Sequence, residues 1–151
     1  MIHDVVVQPL TVNADERGYL MEILRESDPF FTRFAQVYVS KNYPGVIRGW
    51  HYHMKQTDLW AVVEGNVKAA MYDMRKDSPT FGTVQEVILG VDHPVVLVIP
   101  VGIAHGYKTI GVQPSLLLNF ADRLYDPASP DEYRIPYDSP DIPYNWDIRI
   151  T

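Results

Sequence analysis

Between Gly45 and Gly65 the chain gathers side chains able to move protons or to hold a metal ion: His51, His53 and Asp58. His51 and His53 are two residues apart, so on a β-strand both imidazoles point to one face. Asp58 follows beyond a turn, and a distant segment, Pro100-Val-Gly102-Ile-Ala104-His105-Gly106, adds another imidazole. Brought together, His51, His53, Asp58 and His105 suit two kinds of chemistry. They can bind a divalent ion, the donor set not choosing among Zn²⁺, Fe²⁺, Ni²⁺ and Mn²⁺. They can also take and return protons with no metal at all. His3 and His93 lie in no such pattern and read as structural. Trp50, Tyr52 and Trp60 read as packing rather than as platforms for a ligand.

Short apolar runs separated by turn residues must position these groups. Ala35–Ser40, Asp58–Val63, Val67–Asp73, Thr83–Leu89, Val95–Ile99 and Leu116–Phe120 are rich in Val, Ile, Tyr and Phe and are bounded by Gly, Pro, Asn and Asp. They read as strands of a sandwich or barrel. Pro29–Phe34 reads as a helical turn capped by Ser27 or Asp28. From about Asp126 the chain turns rich in Pro and Asp, an irregular arm stapled to the barrel by Tyr133, Tyr137, Tyr144 and Trp146. One domain over residues 1–151 is expected, large enough to bury a core. With no cysteine there is no disulfide framework and no thiolate chemistry. Neither a signal pattern nor an apolar run of membrane-spanning length is present, so a cytoplasmic protein without membrane contact is expected. The formal charge of −6 argues against a nucleic-acid partner.

The two histidine segments resemble the paired motifs of the cupin superfamily, small β-barrels with polar groups gathered inside one end. Four blocks carry a closer resemblance. Asp15-Glu-Arg17-Gly18-Tyr-Leu20-Met-Glu22, Gly45-Val-Ile-Arg48-Gly49-Trp-His51-Tyr, Asp73-Met-Arg75-Lys-Asp-Ser78-Pro79-Thr80-Phe81-Gly82 and Ile99-Pro100-Val-Gly102-Ile-Ala104-His105-Gly106 occur in order along the chain. They are similar to the signatures of the dTDP-4-dehydrorhamnose 3,5-epimerase family. The resemblance implies an all-β, cupin-type double-stranded β-helix, or jelly-roll, barrel, working as a homodimer without a cofactor. It implies a nucleotide-linked 4-keto-6-deoxy sugar as substrate, in polysaccharide biosynthesis. His51 matches the base that removes a proton beside the carbonyl, and His105 the second active-site histidine. Arg17 and Arg48 match positions expected to hold diphosphate and sugar, and Glu22 one that helps hold the nucleotide base.

Departures from the family pattern fall at the catalytic positions. Asp58 stands where the resemblance expects the lysine that stabilises the enolate, and Asn119, expected here as a substrate-binding residue, where it expects the tyrosine that reprotonates carbon. His53 replaces a glutamine, and the family's C-terminal segment with the aspartate that orients the base has no counterpart in these residues. Other readings therefore stand beside the epimerase. Arg48-Gly49-Trp-His51-Tyr-His53-Met-Lys55 also resembles the sugar-nucleotide 3,4-ketoisomerases. A metal cupin using His51, His53, Asp58 and His105, and a non-catalytic sugar-nucleotide binder, complete the set.

Overall fold

A computed structural model describes residues 1–149. The strands are β1 Val6–Pro9, β2 Val12–Asp15, β3 Gly18–Met21, β4 Gln36–Asn42, β5 Ile47–Tyr52, β6 Asp58–Glu64, β7 Asn66–Asp73, β8 Val84–Gly90, β9 Val95–Ile99, β10 Ile103–Ile110, β11 Ser115–Ala121 and β12 Tyr133–Arg134. Two antiparallel sheets face each other, in the orders β1-β9-β6-β11-β4 and β12-β5-β10-β7-β8. Strands β2 and β3 form a separate hairpin. All six strands expected from apolar runs are present. Among the described residues no helix is long and apolar enough to cross a membrane.

The core lies between the sheets. Trp60, Val62 and Leu117 of the first pack with Val67, Met71, Ile103 and Tyr107 of the second. The outer faces are covered as well. The N-terminal segment lays Leu10, Ile23, Leu24 and Phe30 over Leu59, Ala61, Val96 and Val98. The C-terminal arm lays Ile142, Tyr144 and Trp146 over Trp50, Ala70 and Ala104. Strands β6, β7 and β9 are thus buried on both faces, which explains why Val67–Asp73 alternates poorly.

Aromatic contacts hold the arm against the sheet. Trp146 sits 4.9 Å from Trp50 between ring centroids, and Tyr133 stacks on Tyr52 at 5.1 Å. Gly49 admits Tyr137, since a Cβ there would come within 2.7 Å of the tyrosine Cβ. The expected helical turn over Pro29–Phe34 is corrected: the segment makes one tight turn, Phe31 N–H to Asp28 carbonyl at 2.9 Å, then runs extended. Six residues cannot offset helix nucleation, and Phe30 packing on the sheet face sets the path instead.

Candidate active site

Strands β5 and β10 lie side by side, with His105 directly opposite His51 and the two ring centroids 4.2 Å apart. The ladder slips between His105 and Tyr107, where Gly106 sits. A Cβ at Gly106 would lie 2.6 Å from the Arg48 carbonyl oxygen, so only glycine lets β10 approach β5 this closely. His53 lies just past β5, its ring 5.6 Å from His51 and 5.8 Å from His105. Asp58, fully buried at the start of β6, enters from the opposite sheet. Its Oδ2 is 3.2 Å from His105 Nε2 and 3.4 Å from His53 Nε2, and its Oδ1 accepts from Gln56 Nε2 at 2.6 Å. The chain therefore brings together all four groups singled out from the sequence, with ligand atoms within 4.8 Å of one another.

Their electrostatics divide the labour. Burial, then the neighbouring His105, push His51 down to about 3, so its ring is neutral and able to accept a proton. Burial alone would lower His53, yet the hydrogen-bonding and charge of Asp58, with the Asp131 carbonyl at Nδ1, leave it raised. Burial would raise Asp58, but His105 and His53 hold it well below the usual carboxylate range. His105 is fixed at its other nitrogen, Nδ1 donating to the Ile103 carbonyl at 2.8 Å. Asp58 is thus engaged by two imidazoles, and its charge is not presented bare to the cavity.

Of these groups His51 and His53 line a cavity of about 900 Å³ between the sheets, while Asp58 and His105 are buried behind them. Arg48 lines it, its Nε donating to Asn42 Oδ1 at 2.8 Å, a neutral partner that leaves the guanidinium charge uncancelled. Asn42 in turn donates to Tyr107 Oη, which donates to Ser40. Several wall residues were not expected from sequence: Lys55, Arg123, Arg134 and, from β4, Gln36, Tyr38 and Ser40. The β4 set carried a signal, since Gln36-Val37-Tyr38-Val39-Ser40 alternates with the polar residues inward and the valines exposed. Asp131 had none. It lies far along the chain, yet its carboxylate accepts from the backbone N–H groups of Met54, Lys55 and Gln56 and so fixes the loop that carries His53.

Three expected ligand residues do not line this cavity. Arg17 sits at the β2–β3 turn, paired with Asp15 and largely exposed. Glu22 lies past β3, 3.6 Å from Arg25. Asn119 is buried behind the wall, its Nδ2 donating to Tyr38 Oη at 2.7 Å. The Asp73 block is a staple of the fold: its buried carboxylate accepts from Arg75, Ser78 and Thr80 at 2.6–3.0 Å.

Comparison with known proteins agrees with this geometry. The family model for dTDP-4-dehydrorhamnose 3,5-epimerase matches residues 1–151. The chain is 42% identical to the spore coat polysaccharide biosynthesis protein SpsL of Bacillus subtilis, over 99% of each chain. It is 44% identical to the probable low-salt glycan biosynthesis epimerase Agl13 of Haloferax volcanii, over 99% of this chain and 97% of that one. Its structure superposes on a crystal structure of a dTDP sugar isomerase from Desulfovibrio desulfuricans with a TM-score of 0.90, at 31% identity, covering 96% of this chain and 92% of that one. With two jelly-roll sheets, a histidine pair across β5 and β10, and this match along its whole length, the chain belongs to the dTDP-4-dehydrorhamnose 3,5-epimerase family.

Proposed function

We propose that the protein epimerises a thymidine-diphosphate-linked 4-keto-6-deoxy sugar, with His51 as the base. The observation that carries this reading is the His51 ring on the cavity wall, 4.2 Å from the His105 ring and beside a cluster that keeps the Asp58 charge engaged. His51 takes the proton from the carbon next to the carbonyl, and the electron pair moves onto the carbonyl oxygen. A positive group must then meet that oxygen. His53, raised by Asp58, supplies the charge that the family's lysine would give, and His105, held at both nitrogens by Ile103 and Asp58, fixes the carboxylate behind it. Deuterium uptake from D₂O into such a sugar nucleotide, followed by NMR, tests the reading. Uptake with inversion is expected. Uptake with migration of the carbonyl would favour the ketoisomerase, and no uptake would leave a binder without catalysis.

A metal is the second reading, because His53 Nε2 has no well-aligned hydrogen-bond partner in its buried position. His51, His53, Asp58 and His105 would hold a divalent transition metal, which would polarise the keto oxygen. The contacts from Asp58 to the two Nε2 atoms are equally those of a carboxylate packed between two imidazoles, so no metal is needed to account for them. The same exchange experiment with a chelator separates the two: unchanged uptake and no stoichiometric metal by elemental analysis remove the metal.

Arg48 is assigned to the diphosphate, where a forked donor suits phosphate oxygens. Arg48→Ala is expected to weaken thymidine diphosphate binding by roughly 1.5–3 kcal/mol in calorimetric titration. Unchanged affinity would make Arg48 structural. Arg17 and Glu22 reach a ligand only in a second subunit. A homodimer is supported by the edge strand β4, with Val37 and Val39 exposed, and by the hairpin, with Val12, Tyr19 and Leu20 exposed. Sedimentation equilibrium should find the dimer, and in it Arg17→Ala should also lower affinity; a monomer with full affinity in that variant would refute this assignment.

A further inference from the structure

By the family resemblance Asn119 stands where an epimerase has a proton donor facing the base, and an amide cannot serve. The structure shows what stands in front of it. Asn119 on β11 pairs across the ladder with Tyr38 on β4 and with Trp60 on β6. Directly paired residues project to the same side of a sheet, so Tyr38, Asn119 and Trp60 form one inward row on the first sheet. Trp60 meets the rings of His51 and His105, at 6.0 and 5.1 Å, on the second sheet. The row is therefore level with the catalytic histidines and on the opposite wall. Of its members Asn119 is 1% exposed, whereas Tyr38 is 46% exposed and lines the open side of the cavity that His51 also lines. The Asn119 Nδ2 donates to Tyr38 Oη at 2.7 Å, leaving the phenol hydrogen free to point into the cavity.

We propose that Tyr38 is the proton donor on the face of the substrate carbon opposite His51, and that Asn119 is its positioning residue. The proposal rests on the epimerase reading given above. In the first half of the reaction the C–H bond breaks, its proton going to His51 and its electron pair forming the enolate. In the second, the enolate electron pair takes the proton of the Tyr38 O–H, a new C–H bond forms on the other face, and the carbonyl is restored. The tyrosinate recovers a proton from water, and His51 releases its own to water, so no other reactant is consumed. Burial and the charge of Asp58 push the phenol up to about 12, so Tyr38 holds its proton until carbon takes it. A tyrosine one strand over, rather than on β11, thus closes the gap left by Asn119. Its flanking inward neighbours Gln36 and Ser40 are neutral and do not compete as acids.

The test uses the full chain and a thymidine-diphosphate-linked 4-keto-6-deoxyhexose in D₂O, with exchange and configuration read together by NMR. Tyr38→Phe is expected to keep deuterium uptake beside the carbonyl, with retained configuration, while inversion falls by roughly 10²–10⁴-fold. Asn119→Ala, which leaves the phenol in place, should lower the ratio of inversion to exchange without slowing exchange. That ratio would not move if Asn119 served packing alone. A folded Tyr38→Phe variant that inverts at the wild-type rate overturns the proposal, and so does one that loses exchange and inversion equally. If Tyr38→Phe does not fold, an unchanged ratio in Asn119→Ala overturns it. Wild-type protein that takes up no deuterium refutes the epimerase reading itself, a result distinct from any of these.

Discussion

Replacing His51 by asparagine is expected to abolish solvent exchange beside the substrate carbonyl and to leave the fold intact. A positioned base contributes roughly 10²–10⁴-fold in rate, so exchange in the variant should drop by at least that lower factor. Burial and His105 push His51 down to about 3, so it is neutral at every pH at which such an enzyme is assayed. In the resting site that makes a weak base. Once a proton moves, however, the imidazolium lies beside a newly formed enolate, and that attraction in a partly dry cavity favours the charged pair. The sign of the pH dependence follows. An ordinary histidine loses its neutral form below about 6.5, whereas His51 keeps it, so exchange should not decline along that titration. An acid limb centred near 6.5 would mean that another group is the base. The fold is spared because the ring's hydrogen bond is a 3.4 Å contact with the Gly49 carbonyl, which an amide can replace. A variant with native circular dichroism that still exchanges at the wild-type rate would remove His51 from the role.

Asp58→Asn is expected to cost about 3–5 kcal/mol of folding stability, the usual effect of removing one member of a buried charged pair. The carboxylate accepts from His105 and Gln56 and pairs with His53. An amide offers one acceptor oxygen and turns N–H groups toward rings that are themselves donating. Against a typical total of about 5–15 kcal/mol the loss is large and should appear as a lower denaturant midpoint. The pH dependence has two limbs. Asp58 is held below its ordinary value, so its contribution is present above about pH 4 and is lost as pH falls through its folded pKa. His53 is raised, so its contribution is present below about 6.5 and is lost as pH rises through its folded pKa. Wild-type stability from this pair should therefore be greatest between about pH 4 and 6.5, and the variant should lose both limbs, keeping only the decline below about 6.5 that the depressed His51 imposes. An unchanged midpoint would show that the carboxylate does not hold the imidazoles.

Much of this protein was legible in its sequence, for local reasons. Strands β4, β6, β7, β8, β9 and β11 announce themselves by apolar, β-branched runs between turn residues. His51 and His53, singled out by their spacing, do share one cavity, although His53 lies just past the end of β5 and is set there by a loop that Asp131 fixes. What needed the tertiary structure depends on partners far apart in the chain. Arg17 and Glu22 are expected from the resemblance at ligand positions, yet the hairpin carries them away from the cavity. Asp58 reads from sequence as a charge in the wrong place, and only the meeting of β6 with β5 and β10 shows it engaged by two imidazoles. Asn119 reads as a lost tyrosine until strand pairing sets Tyr38 in front of it. Pattern and propensity act over a few residues, whereas the charge a group carries and the wall it faces are set by neighbours that only folding assembles.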